Sequence, residues 1–249
     1  MDLELNGKRA LVLGASRGLG AAIARELVDE GASVLGVSRS GQGEGDWPIF
    51  AQDLAEPEAA DHIAMHAGEV LGGVDILINN SGGPPPSTAQ ATEEAAIMAS
   101  MQPMLLSLTR LTRLLLPGMR EAGFGRVITI TSAGVREPIP GLALSNTIRA
   151  GLHGFMKTLS KEIAADGITV NLLMPGQIDT DRLRSLHAAT AERIGVPEEA
   201  FRAKAIEAVP TGRIGEPSEF AAVAAFLASP RASYVTGQEI AVDGGMLRS

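Results

Sequence analysis

The sequence contains no cysteine in its 249 residues, which excludes disulfide bonds, thiol catalysis and thiolate metal sites. Aromatic residues are also scarce, so the chain offers few flat platforms for a planar substrate. No apolar run approaches the roughly 18 residues that span a bilayer. The first ten residues, MDLELNGKRA, lack the basic-then-apolar layout of a secretory signal.

The composition that remains describes a globular protein. A net charge of −8 argues against general binding to nucleic-acid phosphates. A hydrophobic content of 45% in a chain of this length can bury a sizeable core in one domain. We therefore expect a cytoplasmic protein that binds a small-molecule substrate, with no nucleic-acid partner, no membrane partner and no metal site.

One glycine-rich stretch organises the rest of the chain. An apolar run at 10–13 ends at Gly14, and apolar residues recur at helical spacing from Leu19 onward. A helix that begins just after a tight turn presents free amide groups to a phosphate. Gly14 would permit the turn, whereas Gly18 and Gly20 would allow close approach of a ligand and of the strand. A glycine triplet placed for packing alone is the alternative, and the spacing G-x-x-x-G-x-G differs from the common dinucleotide fingerprint.

Predicted strands and helices alternate along the whole sequence. Strands are predicted at 10–13, 32–37, 48–51, 74–78, 127–131, 169–174 and 239–242. Helices are predicted from residue 19 and at 56–71, 92–122, 142–165 and 217–228. This alternation predicts an α/β fold of Rossmann type, a doubly wound parallel sheet in three layers, as a single domain over residues 1–249.

Ligands of such sheets bind beyond the carboxyl ends of the strands. Arg17 and Arg39 both fall at that edge, and two guanidinium groups favour an extra phosphate on the adenosine ribose. Ser38 stands where an NAD-specific enzyme would place a carboxylate, so the sequence predicts NADP(H). Arg39 merely solvating a loop is the alternative. Asp53 could accept a hydrogen bond from the adenine amino group or cap the following helix.

Motifs along nearly the whole chain resemble those of the short-chain dehydrogenase/reductases, especially the bacterial 3-oxoacyl-carrier-protein reductase-like branch. These motifs are Gly14-Ala15-Ser16-Arg17-Gly18-Leu19-Gly20, Asp53-Leu54, Asn79-Asn80-Ser81-Gly82, Gly125-Arg126-Val127-Ile128, Ile168-Thr169-Val170-Asn171, Pro175-Gly176, Thr180, 213–219 and Val242-Asp243-Gly244-Gly245. The resemblance implies a seven-stranded sheet that binds a nicotinamide dinucleotide. It also implies that Asn80 and Gly82 lie along the cofactor ribose, and that Pro175, Gly176, Ile178 and Thr180 hold the nicotinamide end.

The catalytic positions depart from the family pattern. The family uses a serine, a tyrosine thirteen residues later and a lysine four residues after that. This chain has Ser132, Ser145 and Arg149 at those positions, and its only tyrosine is Tyr234. Met104 aligns with the supporting asparagine of the family. Three of the four residues that the resemblance leads us to expect are therefore absent.

These replacements remove the usual acid. Reduction of a carbonyl group by hydride needs a proton for the developing alkoxide. A serine hydroxyl is a far weaker acid than a phenol, and arginine keeps its proton. Ser132 and Ser145 could still donate hydrogen bonds to a carbonyl oxygen, and Arg149 could hold a ribose hydroxyl, a substrate carboxylate or an oxyanion.

Three side chains are candidate replacement acids. Glu137 is the first choice because it is closest in sequence to Ser132. His153 follows Arg149 by one helical turn, and His187 lies in the segment 177–212, which in the family is a lid over the substrate. Each of them could instead be structural or solvated.

An apolar helical stretch predicts self-association. Residues 98–119 are apolar on more faces than one core requires. The resemblance points to pairing of this helix and the 142–165 helix across a two-fold axis, which gives a homodimer or a homotetramer. Burial beneath the lid is the alternative.

Two functions from different classes follow. The first is an NADP(H)-dependent oxidoreductase acting on a carbonyl/alcohol pair, such as a 3-oxoacyl thioester or another carbonyl, with a divergent proton donor. The second is a catalytically silent NADP(H)-binding sensor or assembly subunit. The retained Ser132 and the cation at position 149 favour the first.

Overall fold

The computed structural model describes residues 2–247 and forms one seven-stranded sheet in which every pairing is parallel. The strands are β1 Arg9–Leu13, β2 Ser33–Ser38, β3 Ile49–Ala51, β4 Ile76–Asn79, β5 Gly125–Ile130, β6 Ile168–Pro175 and β7 Glu239–Val242. Their order across the sheet is β3-β2-β1-β4-β5-β6-β7. The order reverses between β1 and β4, which is the switch point where ligands of doubly wound sheets bind.

Helices cover both faces of the sheet. They are α1 Gly18–Asp29, α2 Ala59–Leu71, α3 Glu94–Met101, α4 Ser107–Glu121, α5 Ala143–Glu162, α6 Asp181–Ile194, α7 Glu198–Glu207 and α8 Pro217–Ala228. Residues of α1 and α8 form one hydrophobic cluster with the sheet, and residues of α2, α4 and α5 form the other. Val12 points into the first cluster whereas Leu11 and Leu13 point into the second, because side chains alternate along a strand. The predicted three-layer fold is confirmed.

The predicted helix at 92–122 is wrong in one respect. It consists of α3 and α4, joined by a π-helical turn over Gln102–Leu106. Pro103 lies in that turn and has no backbone N–H to donate, and the amide of Ser107 bonds to the carbonyl of Gln102, five residues earlier. The apolar periodicity of the sequence does not reveal this interruption, because both halves remain helical.

An ion pair fastens the amino-terminal edge of the sheet. The Asp75 carboxylate accepts hydrogen bonds from the Arg9 backbone amide, from Arg9 Nε and from Arg9 Nη2, at 2.9, 2.9 and 2.6 Å. Burial alone would raise the pKa of Asp75, but the hydrogen bonds and charge of Arg9 outweigh it and lower that pKa. Asp75 therefore stays ionised where β1 and β4 begin.

Within residues 2–247, no helix has both the length and the apolar character needed to cross a bilayer. Much of the apolar stretch predicted to self-associate packs inward, since Met104, Leu108, Leu111, Leu116 and Met119 are buried. Met98, Leu106 and Leu114 remain exposed on α3, the π turn and α4.

Candidate active site

The glycine loop after β1 is shaped by close backbone contacts. Gly14 has a φ of +65°, a conformation that side chains with a Cβ rarely adopt. A Cβ on Gly14 would also lie 2.7 Å from Nδ2 of Asn80, and a Cβ on Gly20 would overlap the carbonyl oxygen of Gly14. The loop is therefore pressed against the end of β4, and only glycine fits at both positions.

The amino terminus of α1 is open to an anion. Its first residue follows Arg17, whose side chain does not cap the helix, and the first turn carries no acidic residue in the described structure. Free amide groups at a helix start carry partial positive charge. The local geometry around Ser16, Gly18 and Leu19 thus suits a phosphate or diphosphate group.

Arg17 and Arg39 line one cavity of about 530 Å³, together with Ser16, Ser38 and Ser40. Both arginine side chains are exposed, whereas Ser38 at the end of β2 is buried and donates a hydrogen bond to the carbonyl of Gln42 over 3.1 Å. The two guanidinium groups that the sequence predicts to act together are thus brought to the same place.

Asp53 and Leu54 follow β3 at the same edge of the sheet. The Asp53 carboxylate accepts a 2.9 Å hydrogen bond from the amide of Ala55, in the turn that precedes α2. It is not the cap of α2, whose first residue is Ala59, so that alternative is wrong. The carbonyl of Leu54 accepts a hydrogen bond from Ser107 over 2.7 Å, which ties this loop to α4.

Ser132, Ser145 and Arg149 occupy the loop after β5 and the start of α5. The Ser132 hydroxyl accepts a hydrogen bond from the amide of Gly134 over 3.1 Å, so its own proton remains available to donate. Ser145 is 9% exposed at the start of α5. Arg149 lies one helical turn after Ser145 and therefore on the same face of α5.

The guanidinium of Arg149 is buried, with 8% of the residue exposed. Its Nη1 donates to the carbonyl of Ile130 over 2.8 Å, and its Nη2 lies 3.5 Å from the carbonyl oxygen of Ser81. Burial, and then the charge of Arg182, lowers the pKa of Arg149 to about 10. Arg149 therefore keeps its charge at neutral pH and cannot act as the missing acid.

Met104 is the residue that the resemblance aligns with the supporting asparagine of the family, and its side chain is apolar. It is buried in the π turn, which packs against α5. A thioether is a weak acceptor and donates no hydrogen bond, so it cannot position a proton-carrying water as an asparagine can. Met104 therefore lacks the hydrogen-bonding capacity that an asparagine would have at this position.

The three candidate acids lie in different surroundings. Glu137 is exposed at the rim of the site, five residues after Ser132, and its catalytic role stays a prediction. His153 Nε2 lies 3.7 Å from the Glu239 carboxylate, which also binds Arg136, so the packing alternative is favoured for this histidine. His187 lies within the segment 177–212.

His187 is buried inside the segment 177–212. Its Nε2 lies 2.8 Å from the Gln177 side-chain oxygen, and its ring meets the ring of Phe201 edge-on at 5.3 Å. Burial, and then the charge of Arg202, lowers the pKa of His187. These contacts hold α6 against α7 and indicate a structural histidine.

The start of α6 is stabilised by a helix cap and by ion pairs. Thr180 caps the helix by accepting a hydrogen bond from the amide of Leu183 over 3.2 Å. Arg184 pairs with Asp179 and with Asp181, at 2.6 and 2.7 Å.

Backbone contacts hold the segment that connects β6 to α6. Pro175 is the last residue of β6, the amide of Gly176 bonds to the carbonyl of Val242, and Ile178 bridges to Gly215. Gly82 is exposed in the loop after β4.

Sequence reasoning missed two residues of the site, Ser81 and Asp181. The Ser81 hydroxyl is buried and has no partner within the described chain. Asp181 contacts Arg17 across the cleft at 3.4 Å, a pairing of residues far apart in sequence. Ser81 lies inside the motif Asn79-Asn80-Ser81-Gly82, whereas no local pattern signals the pairing of Asp181.

Comparisons with known proteins agree with this arrangement. A family model described as enoyl-(acyl carrier protein) reductase matches residues 14–247. The chain is 36% identical to 3-oxoacyl-[acyl-carrier-protein] reductase FabG of Vibrio cholerae, with 98% of this chain and 99% of the relative covered. It is 34% identical to the FabG of Escherichia coli over the same shares.

Two solved structures are also similar. L-sorbose reductase from Gluconobacter frateurii, complexed with NADPH and L-sorbose, matches with a TM-score of 0.91 and 31% identity over 100% of both chains. YwfH, an NADPH-dependent reductase involved in bacilysin biosynthesis, matches with a TM-score of 0.86 and 30% identity. This alignment covers 97% of the present chain and 99% of YwfH.

Proposed function

The chain belongs to the short-chain dehydrogenase/reductase family, and we propose that it is an NADP(H)-dependent reductase of carbonyl compounds with a divergent proton donor. The observation that carries the cofactor assignment is the cavity shared by Arg17 and Arg39 at the end of β2. The two guanidinium groups there can pair with a ribose phosphate. Ser38 at the end of β2 is not acidic, so it would not repel that phosphate.

The residues present fit such a dinucleotide. The backbone around Gly14 and Gly20 leaves no room for a Cβ, and α1 offers uncapped amide groups at the same point. The residues proposed to hold the cofactor are Gly14, Ser16, Arg17, Gly18, Leu19, Gly20, Arg39, Asp53, Leu54, Asn80, Gly82, Pro175, Gly176, Ile178 and Thr180. NADPH supplies the hydride when it is bound.

Three side chains position the substrate. Ser132 and Ser145 each have a hydroxyl proton to donate to a carbonyl oxygen, and Arg149 places a positive charge on the same face of α5 as Ser145. Donors that are already oriented stabilise negative charge as it develops on that oxygen. These residues can thus replace the polarising half of the missing tyrosine and lysine.

Proton delivery is assigned to Glu137. It is the nearest candidate acid to Ser132 and lies in the loop that follows the same strand. A 3-oxoacyl thioester is the substrate suggested by the FabG relatives, and other carbonyl compounds are suggested by L-sorbose reductase. The segment 177–212 is proposed to close over the substrate and exclude water.

Oxidation of NADPH by a panel of 3-oxoacyl thioesters, ketoses and quinones tests this function. We expect Ser132→Ala and Glu137→Gln to lower kcat by roughly 100-fold, the usual contribution of one acid–base or oxyanion group. Glu30→Gln, at the C-cap of α1, is the matched control. Unchanged turnover in Glu137→Gln would eliminate Glu137, and tight NADPH binding with no turnover would favour a silent binding protein.

The exposed apolar residues Met98, Leu106 and Leu114 support a proposed homodimer or homotetramer built on α4 and α5. Sedimentation velocity should give a dimer or tetramer for the native chain, and Leu114→Lys should shift it toward the monomer. A monomeric native chain would contradict this assembly.

A further inference from the structure

Two arginines flank the loop that follows β4. Arg149 Nη2 lies 3.5 Å from the Ser81 carbonyl oxygen, and Arg182 Nη2 donates to the Pro84 carbonyl over 3.1 Å. The two charges are close enough for Arg182 to disfavour the charged form of Arg149. Within residues 2–247, neither arginine has a carboxylate oxygen within 4.0 Å.

Another buried arginine shows how this fold satisfies such a group when its role is structural. Arg126 donates to the carbonyls of Ser229, Gly125 and Gly167 at 3.1, 2.8 and 3.2 Å. Its guanidinium also lies over the Phe124 ring at 4.1 Å. By contrast, Arg149 has one short acceptor and one distant acceptor in the described chain, which leaves most of its five N–H groups without a partner.

Two acidic residues at the start of α6 are engaged elsewhere. Asp179 and Asp181 pair with Arg184, and Asp181 also pairs with Arg17. The buried Ser81 hydroxyl adds another group without a partner on the loop between the two arginines. A surplus of positive charge therefore lies between the β4 loop and the start of α6, next to the proposed carbonyl site.

We propose that the site takes an oxo acid, with Arg149 and Arg182 holding its carboxylate while Ser132 and Ser145 hold its carbonyl group. A guanidinium fork matches a carboxylate by paired charge-assisted hydrogen bonds. A neutral ester or thioester at the same place would leave a buried charge uncompensated, which is costly. This inference rests on the proposed function and narrows its substrate class.

The proposed reaction is a two-electron reduction in which NADPH is the reductant. The carbonyl carbon accepts a hydride from NADPH and its oxygen accepts a proton, so the oxo acid becomes a hydroxy acid and NADP⁺ is released. The carboxylate is unchanged by the reaction and serves only to bind and orient the substrate.

Matched substrates test the proposal. NADPH oxidation is measured with 3-oxobutanoate, with its methyl ester and with its N-acetylcysteamine thioester, and then with 2-oxobutanoate and its methyl ester. We expect kcat/KM for the better acid to exceed that of its neutral derivatives by about 100-fold, as charge-assisted hydrogen bonds imply. Equal or better use of the neutral derivatives overturns the proposal.

Variants of two arginines sharpen the test. Arg182→Gln should lower the ratio of acid to ester kcat/KM by about 10-fold, with most of the loss in KM for the acid. Arg231→Gln is the matched control, because that arginine pairs with Glu4 before β1, and the ratio should not change. An unchanged ratio in Arg182→Gln contradicts its role.

Calorimetry on the NADP⁺ complex separates this inference from the proposed function. Binding of 3-oxobutanoate but not of its ester, weakened by Arg182→Gln, supports the carboxylate site even if no compound is reduced. Reduction of acids and esters at equal rates supports the proposed function and overturns the carboxylate site. Equal binding of acid and ester to the complex overturns the carboxylate site as well.

Discussion

Arg17 and Asp181 form a 3.4 Å ion pair that joins the glycine loop to the first residue of α6. Both side chains are more than half exposed, so the pair contributes little to stability. A ribose phosphate in the cavity beside Arg17 would offer a stronger, bidentate partner. Cofactor binding should therefore draw Arg17 away from Asp181. Asp181 would then pair with Arg184 alone.

Removal of Arg39 should change cofactor choice. We expect Arg39→Gln to weaken NADPH binding by about 10-fold to 100-fold, because one phosphate contact is lost, with NADH binding little changed. Trp47, the only tryptophan, is buried against Gly36 of β2, so its fluorescence gives the measurement. Arg231→Gln, which breaks a pair with Glu4, is the control. Equal losses for NADPH and NADH would place the phosphate elsewhere.

A methyl group added at Gly20 should damage the cofactor loop. Gly20→Ala puts a Cβ into the carbonyl of Gly14, so we expect a loss of about 1–3 kcal/mol in unfolding free energy together with loss of NADPH binding. Gly68→Ala is the matched control, because it lies exposed in α2 with open space at its Cβ. That variant should gain about 0.5–1 kcal/mol. Urea unfolding measures both, and a neutral Gly20→Ala would contradict the loop geometry.

The Arg9–Asp75 pair should make stability sensitive to acid. The pKa of Asp75 is lowered below its ordinary 3.8, so its contribution is complete above that pH and is lost as the pH falls through the folded value. We expect Asp75→Asn to cost about 1–3 kcal/mol at neutral pH, because it leaves the Arg9 guanidinium half-paired. Chemical unfolding near neutral pH measures this loss, and the difference between wild type and variant should shrink in strong acid. A pH-independent difference would show that packing, rather than charge, is responsible.

His187 should give a pH dependence of the same sign at milder pH. Its folded pKa lies below its ordinary 6.5, so as the pH falls below 6.5 the unfolded chain takes up a proton that the folded chain refuses. The slope can reach about 1.4 kcal/mol per pH unit. His187→Gln should flatten this loss between about pH 8 and pH 5.

The groups that face His187 set the control for this measurement. Arg202 lowers its pKa further and Glu198 opposes that effect, while Gln177 contacts the ring. Thr190→Val, which changes a residue without a titratable group three positions further along α6, should leave the slope unchanged. Equal slopes for wild type and His187→Gln would show that the folded chain protonates this histidine as readily as the unfolded chain does.

The strands were predictable because buried parallel strands are short apolar runs between turns. Residues 239–242 and the helix 217–228 were predicted with the bounds that the structure has. The departure at Ser145 and Arg149 was also visible, because the spacing from Ser132 is fixed and only one tyrosine exists in the chain. These features depend on neighbouring residues alone.

Tertiary pairings were not predictable in the same way. The contact between Arg17 and Asp181 joins residues 164 apart, and no periodicity encodes it. The sequence shows a cation at position 149 but not that the Ile130 carbonyl holds it or that the group is buried. Such contacts depend on the order of strands in the sheet, which only the folded chain defines.

The π turn at Gln102–Leu106 accommodates one residue more than a regular α-helix would over the same axial length. Each helical residue turns the chain by roughly 100°, so this single insertion sets the rotational phase of α3 relative to α4. Loss of one residue there would rotate Met98 and the rest of α3 away from their present orientation beside α5 while α4 kept its own. The orientation of α3 beside α5 is therefore set by chain length, independently of which side chains α3 carries.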